Sequence, residues 1–249
     1  MPPTIRILAI VTFGLMLSAC ASSVSTRSPD TFEPPAVSPD PGLANLAWWQ
    51  LRFKLSWPPD EPPDFSGHLL IAEQVLLPQI IKHQEALPLW RFHRRAGRDG
   101  AGHQFSLIFL ADEKTATNIG DAIGSDELVA WLKQNGMLEN TSLGRRGPEE
   151  LAKLEETSDP VWPIEMQRSW PWFIMGVSTA WLMQVQDISQ RQGLPETATY
   201  TELHDHYRRV SATMDAQWRD FGQHAYLHHL NAVYGYQPIK IRSSELKTF

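Results

Sequence analysis

Cysteine occurs once in 249 residues, as Cys20, which rules out an internal disulfide and a multi-cysteine zinc site and leaves the fold to be held by packing. An excess of cations is also missing. Twenty-two Lys and Arg stand against 28 Asp and Glu, a net charge of −6, which argues against a nucleic-acid partner because phosphate neutralisation dominates that affinity. No G-x-G-x-x-G, Walker loop, G-x-S-x-G elbow or H-E-x-x-H pair occurs, so no phosphate cradle, nucleophile or zinc helix announces itself and no cofactor is expected. Beyond the N-terminus, the most apolar stretch is Trp170 to Val185. It contains Pro171, Ser178, Thr179 and Gln184 and falls short of the roughly 20 apolar residues a membrane span needs. What the chain does have is a globular composition, 42% hydrophobic, with ten Trp and ten Phe to build a core.

The position of the one cysteine matters more than its number. Residues 1–20 carry Arg6, an apolar run from Ile7 to Leu17 and small residues before Cys20, the layout of a secretory signal. Leu17-Ser18-Ala19-Cys20 resembles the lipobox of bacterial lipoproteins, in which the cysteine thiol is acylated and becomes the mature N-terminus. Ala21 and Ser22 follow rather than Asp, and the resemblance then implies an outer-membrane lipoprotein facing the periplasm. Each buried CH₂ adds about 0.8 kcal/mol, so several acyl chains anchor stably where one does not. Loss of residues 1–19 removes Arg6 and no acid, leaving a charge of −7. Residues 20–45 form the expected lipidated tether, with prolines at 29, 34, 35, 39 and 41 among Ser, Thr and Asp. Residues 46–249 are read as one globular domain: a sheet-forming half at 46–138, a linker at 139–163 and a helical half at 164–249.

Within the body, Trp49, Leu51, Phe53 and Leu55 alternate with Trp48, Gln50, Arg52 and Lys54, predicting a half-buried strand over 47–57. Apolar residues at helical spacing from His68 to Ala86 predict a helix, with Pro78 dividing or kinking it. Leu87–Arg95 and His103–Leu110 read as a hairpin around a glycine-rich loop, and Asp112–Asn135 as one broken or two short helices. This order of elements predicts an α+β fold with a ferredoxin-like split βαβ sheet, elaborated by a C-terminal pair of long helices. The first of these is expected from Ser169 as N-cap, with Trp170, Phe173, Ile174, Val177, Trp181, Val185 and Ile188 facing the core. The second begins at the capping-box pattern Thr199 to Glu202. Tyr236 to Arg242 is a candidate strand to close the sheet.

The densest polar cluster lies on the hairpin. Alternation along Trp90–Arg95 puts Arg91, His93 and Arg95 on one face and Trp90, Phe92 and Arg94 on the other. With His103 after the loop, and with Arg52 and Lys54 joining if the first strand is adjacent, such a face suits carboxylates or phosphates through guanidinium forks and exposed N–H groups. The same residues also suit an ordinary solvated face paired to acids such as Asp99. Nine histidines invite a metal reading; His224 and His228, four apart, can point to one side of a helix, but a third ligand is missing.

The tryptophan strand, the helix, Trp90-Arg-Phe-His-Arg-Arg, a glycine turn and His103-Gln-Phe-Ser-Leu-Ile-Phe together resemble, over about 70 residues, the start of the C-terminal elimination domain of lanthipeptide and thiopeptide dehydratases. The resemblance implies an α+β fold and an anion- or peptide-accommodating hairpin. Phe105 and Leu107 stand where that family has arginines. The expected function is a lipid-anchored binding or interaction module for an envelope protein or anionic ligand. The alternative is a periplasmic enzyme, either a metal-assisted hydrolase using His224 and His228 or an elimination-like lyase using Arg91, Arg95 and His103.

Overall fold

The computed structural model describes residues 45–147, 152–195 and 197–238. Cys20, its lipobox-like motif and the proline-rich tether before residue 45 lie outside these, as do residues 239–242 of the segment expected to close the sheet.

Four strands, β1 (Ala47–Leu55), β2 (Trp90–Ala96), β3 (His103–Ala111) and β4 (Leu138–Arg146), form one sheet in the order β2-β3-β1-β4. All neighbouring pairs are antiparallel. The fold is α+β, and its strand order is that of the ferredoxin-like split βαβ unit. β1 occupies a central position because it is apolar on its inner face and can hydrogen-bond on both sides. The two crossovers are helical. The first comprises α1 (Ser66–Leu70), a π-helical stretch Ile71–Leu76 and α2 (Leu77–Lys82). Pro78 cannot donate a backbone hydrogen bond, and the ladder widens in the turn before it rather than breaking. The second comprises α3 (Glu113–Gly124) and α4 (Glu127–Gln134). Asp112 and Asp126 cap these by accepting from the N–H groups of Thr115 and Val129, so the break between the two helices is set by a second capping residue.

Strand β4 corrects the expectation that 139–163 is a linker throughout. Residues 236–238 are not extended into the sheet, and Tyr236 has a φ of 54°. The sequence of β4 is polar because it is an edge strand: Leu138 is buried, Leu143 half-buried, and Glu139, Asn140, Ser142 and Arg145 face solvent. The remaining part of the segment holds a short helical turn, Leu154–Thr157.

The inner sheet face presents Leu51, Phe53, Leu55, Phe92, Phe105, Leu107 and Phe109 to Leu69, Val75 and Leu76 of the first crossover and to Ala116, Ile119 and Val129 of the second. Outside this layer lie α5 (Ile164–Gln192) and α6 (Tyr200–Gln217), the predicted pair of long helices. Both capping-box bonds between Thr199 and Glu202 are present at the start of α6. α5 starts earlier than expected. Pro163 stands at its N-cap and Ser169 inside it, because proline at the N-cap position costs no helical hydrogen bond. Its buried stripe is Pro171, Ser178, Leu182, Val185 and Ile188, whereas Phe173 and Val177, expected in the core, are exposed. The stripe is set by Ser178, whose hydroxyl accepts from the backbone N–H of Phe92 on edge strand β2 and donates to the carbonyl of Ile174. α6 continues through a π-helical segment, Trp218–His228, into α7 (His229–Val233). Among the described residues, no helix is long and apolar enough to cross a membrane.

Candidate functional site

Strand parity decides which polar side chains meet. Cross-strand partners share a face, so His93, Ser106, Arg52 and Ser142 form one row across the outer face, and Arg91, Ile108, Gln50 and Gly144 the next. The condition for Arg52 and Lys54 to join the β2 face directly is not met: β3 intervenes, and Gln104 and Ser106 separate Lys54 and Arg52 from Arg95 and His93. The outer face is not uniformly solvated. Trp48, Leu89, Ile108 and Leu110 make a second small core under Trp172, Met175 and Leu154. Arg91 is drawn into its edge, 8% exposed, where one guanidinium nitrogen donates to the Thr157 carbonyl at 3.3 Å and Nε has no partner.

Burial and a neighbouring cation act on Arg91 in the same direction. Burial pulls its guanidinium down to about 10, and Arg146 adds to the effect. Arg146 is lowered by its own burial and then by Arg52. His93 is lowered by burial, then by Arg91, Arg146 and Arg95, and is neutral at pH 7. Arg95, by contrast, is paired with Asp99 in the hairpin loop, where Asp99 also accepts from the N–H groups of Ala101 and Gly102. Lys54 is paired with Glu139 at 2.7 Å. The basic face predicted from the hairpin thus contracts to Arg91, His93, Arg52 and, from a strand not foreseen, Arg146.

His103 does not belong to this face. It pairs with Ala96 on the inner side, 1% exposed, with its ring 4.6 Å from that of His68 on α1 and 5.2 Å from that of Phe65. Consequently Arg91, Arg95 and His103, the set an elimination-like lyase would use, are divided by the sheet. Arg94 also sits on the inner side, where the sequence showed a charge at a core-face position between Phe92 and Ala96. Its Nε donates to His68 Nδ1 at 3.2 Å, and its guanidinium carbon lies 4.8 Å from the Phe65 ring centre and 5.2 Å from that of Trp181. Arginine can only donate, so His68 Nδ1 carries no proton and the ring is the neutral Nε2–H tautomer. That Nε2 and both His103 ring nitrogens are buried without a hydrogen-bond partner. Burial lowers both histidines, that of His68 well below its ordinary value; Arg94 and His103 push His68 further the same way, whereas Asp64 opposes the shift at His103. Burial also brings Arg94 to about 10, with Asp215 pulling upward, so Arg94 stays charged at neutral pH.

The metal candidates His224 and His228 stack 5.2 Å apart on the exposed side of the π-helical segment, with His229 against both. They do not continue a buried stripe. Among the described residues, no three His, Cys, Asp or Glu side chains come together as a metal site. His206 is buried elsewhere, its Nε2 3.0 Å from the Ser189 hydroxyl.

Fold and sites define an α+β sheet domain with one arginine cluster on its outer face and a single aromatic-flanked arginine beneath its inner face. No family model, curated protein or solved structure matches the chain.

Proposed function

We propose that this protein is a binding module, held at the outer membrane by lipid on Cys20, which takes the phosphate or carboxylate group of an envelope ligand on the outer sheet face through Arg91, Arg146 and Arg52. The observation that carries this reading is the placement of Arg91, His93, Arg52 and Arg146 on the outer face of three strands, with Arg91 drawn into the second core and its Nε without a partner. Like charges held together in a partly desolvated place cost free energy until an anion enters, and the anion gains what the cations lose. Extended strands fix the guanidinium groups in advance, which lowers the ordering cost of binding.

Thermal shift of the full-length protein with inorganic phosphate is the direct test. Phosphate should raise Tm, and the double substitution Arg91→Gln, Arg146→Gln should remove the shift while Arg95→Gln, already neutralised by Asp99, leaves it. A shift retained in the double variant and lost in Arg95→Gln would sink this assignment. The anchor is tested separately. Cys20→Ser should move the protein from the membrane to the soluble fraction and end palmitate incorporation, and continued labelling of that variant would disprove acylation at Cys20.

A further inference from the structure

A cleft of about 490 Å³ opens on the side of the molecule where α5, α6 and the π-helical segment meet β2 and α1. Its walls include Leu69, Trp181, Met214 and Phe221, and Arg94 is one of its few charged groups. The guanidinium is held on one side and open to solvent on the other. Nε is committed to His68, the flat faces are flanked by Phe65 and Trp181, and the two terminal amino groups make no hydrogen bond to any described residue. Asp215, also on the cleft wall, is beyond ion-pair distance of Arg94 and pulls its pKa upward from there. The aromatic surfaces are likewise open: Trp218 is 55% and Phe221 67% exposed. Gly222 is the residue that lets Trp218 lie down along the cleft, since a Cβ there would stand 2.6 Å from the indole ring. Such a widened helical turn beside a cavity is a recurrent feature of ligand sites.

We propose that this cleft binds a small apolar carboxylate, of aryl or acyl type, with its carboxylate on the terminal N–H groups of Arg94 and its apolar body against Trp181, Trp218, Phe221 and Met214. A planar fork facing outward matches a carboxylate in bidentate geometry. A phosphate dianion fits less well, because a single arginine would face two charges with Asp215 nearby. The volume suits a ligand of about ten to twenty heavy atoms, at the small end of ligand pockets. This site is separate from the outer arginine cluster, from which the sheet divides it, and neither assignment depends on the other.

The test uses naphthalene-2-acetate and its neutral amide, titrated into the full-length protein at pH 7.5, with tryptophan fluorescence as readout because Trp181 and Trp218 line the cleft. The carboxylate should bind saturably and at least tenfold more tightly than the amide. Arg94→Gln should abolish that advantage, and Asp215→Asn should tighten the carboxylate by removing a repelling charge. Arg94→Lys, which keeps the charge and loses the fork, should weaken it severalfold, and its Tm and circular dichroism show whether the fold is retained. The substitution Arg91→Gln, Arg146→Gln should leave naphthalene-2-acetate binding unchanged. Equal binding of acid and amide, unaltered affinity in a folded Arg94→Gln or Arg94→Lys protein, or weaker binding in Asp215→Asn would each overturn the proposal.

Discussion

Phe105→Ala should lower the free energy of unfolding by about 3–5 kcal/mol, the cost of deleting a large buried aromatic side chain whose surroundings cannot fully close over the gap. Phe105 is wholly buried on β3 at the point where the sheet, α1 and α5 converge. Its ring stacks on His68 at 5.0 Å and 19°, and lies 5.1 Å from Phe92 and 6.2 Å from Trp181. Three of the groups that fix Arg94 therefore lean on this one ring, directly or through a neighbour. Urea unfolding followed by circular dichroism measures the loss, and a change below about 1 kcal/mol would show that the convergence is loosely packed. The same substitution should weaken naphthalene-2-acetate binding, because His68 and Trp181 lose the surface that orients them.

Acidification is the second large effect. His68, His103 and His206 are buried, and in each the folded state holds the imidazole pKa below its ordinary value, burial being the first cause. A group depressed on folding binds fewer protons in the native than in the unfolded chain between its two pKa values. Stability is therefore complete above about pH 6.5 and is lost as pH falls through that value, by about 1.4 kcal/mol per pH unit for each histidine that charges only on unfolding. Exposed His93 and half-buried His204 shift in the same direction, with solvent screening reducing their share. Glu73 works the other way: burial raises its pKa, so its protonation begins to favour the folded state as pH approaches the carboxylate range. Unfolding curves at pH 7.5, 6.5 and 5.5 should show the decline. His103→Phe should make it shallower by one histidine's worth and cost little at pH 7.5, since the ring it replaces makes no hydrogen bond. An unchanged slope in that variant would remove His103 from the account.

Much of the sheet could be read from the sequence because its strands are either alternating or strongly apolar. Trp48 through Leu55 declared β1, and the glycine-rich loop after Arg95 declared the hairpin. Asp112 and Thr199 mark two helix starts that the hydrogen bonds bear out, and Asp126 settles the open choice within 112–135 as two helices. β4 was illegible for a physical reason: an edge strand with little to bury needs few apolar residues, and Leu138 and Leu143 are too sparse to show a period. The start of α5 was hidden because Pro163 serves as well as Ser169 for a helix entrance.

The site was legible in part. Parity along β2 correctly separated Arg91, His93 and Arg95 from Arg94, but a cation on an apolar face was passed over, although that anomaly is the mark of the inner cleft. The parity that makes Phe105 a core residue applies equally to His103, two positions earlier, and places it inside. Arg146 could not be joined to Arg91 without knowing that β4 exists. Loop contacts such as the Thr157 carbonyl on Arg91 depend on a segment with no periodicity at all.

The hydroxyl of Ser178 on the outer edge of β2 has a consequence for association. It occupies the Phe92 N–H, so a strand added on that side would go without a ladder bond at Phe92 unless the Ser178 hydroxyl were displaced. A helix side chain thus guards the β2 edge of the sheet against strand addition, the route by which exposed edges recruit other chains.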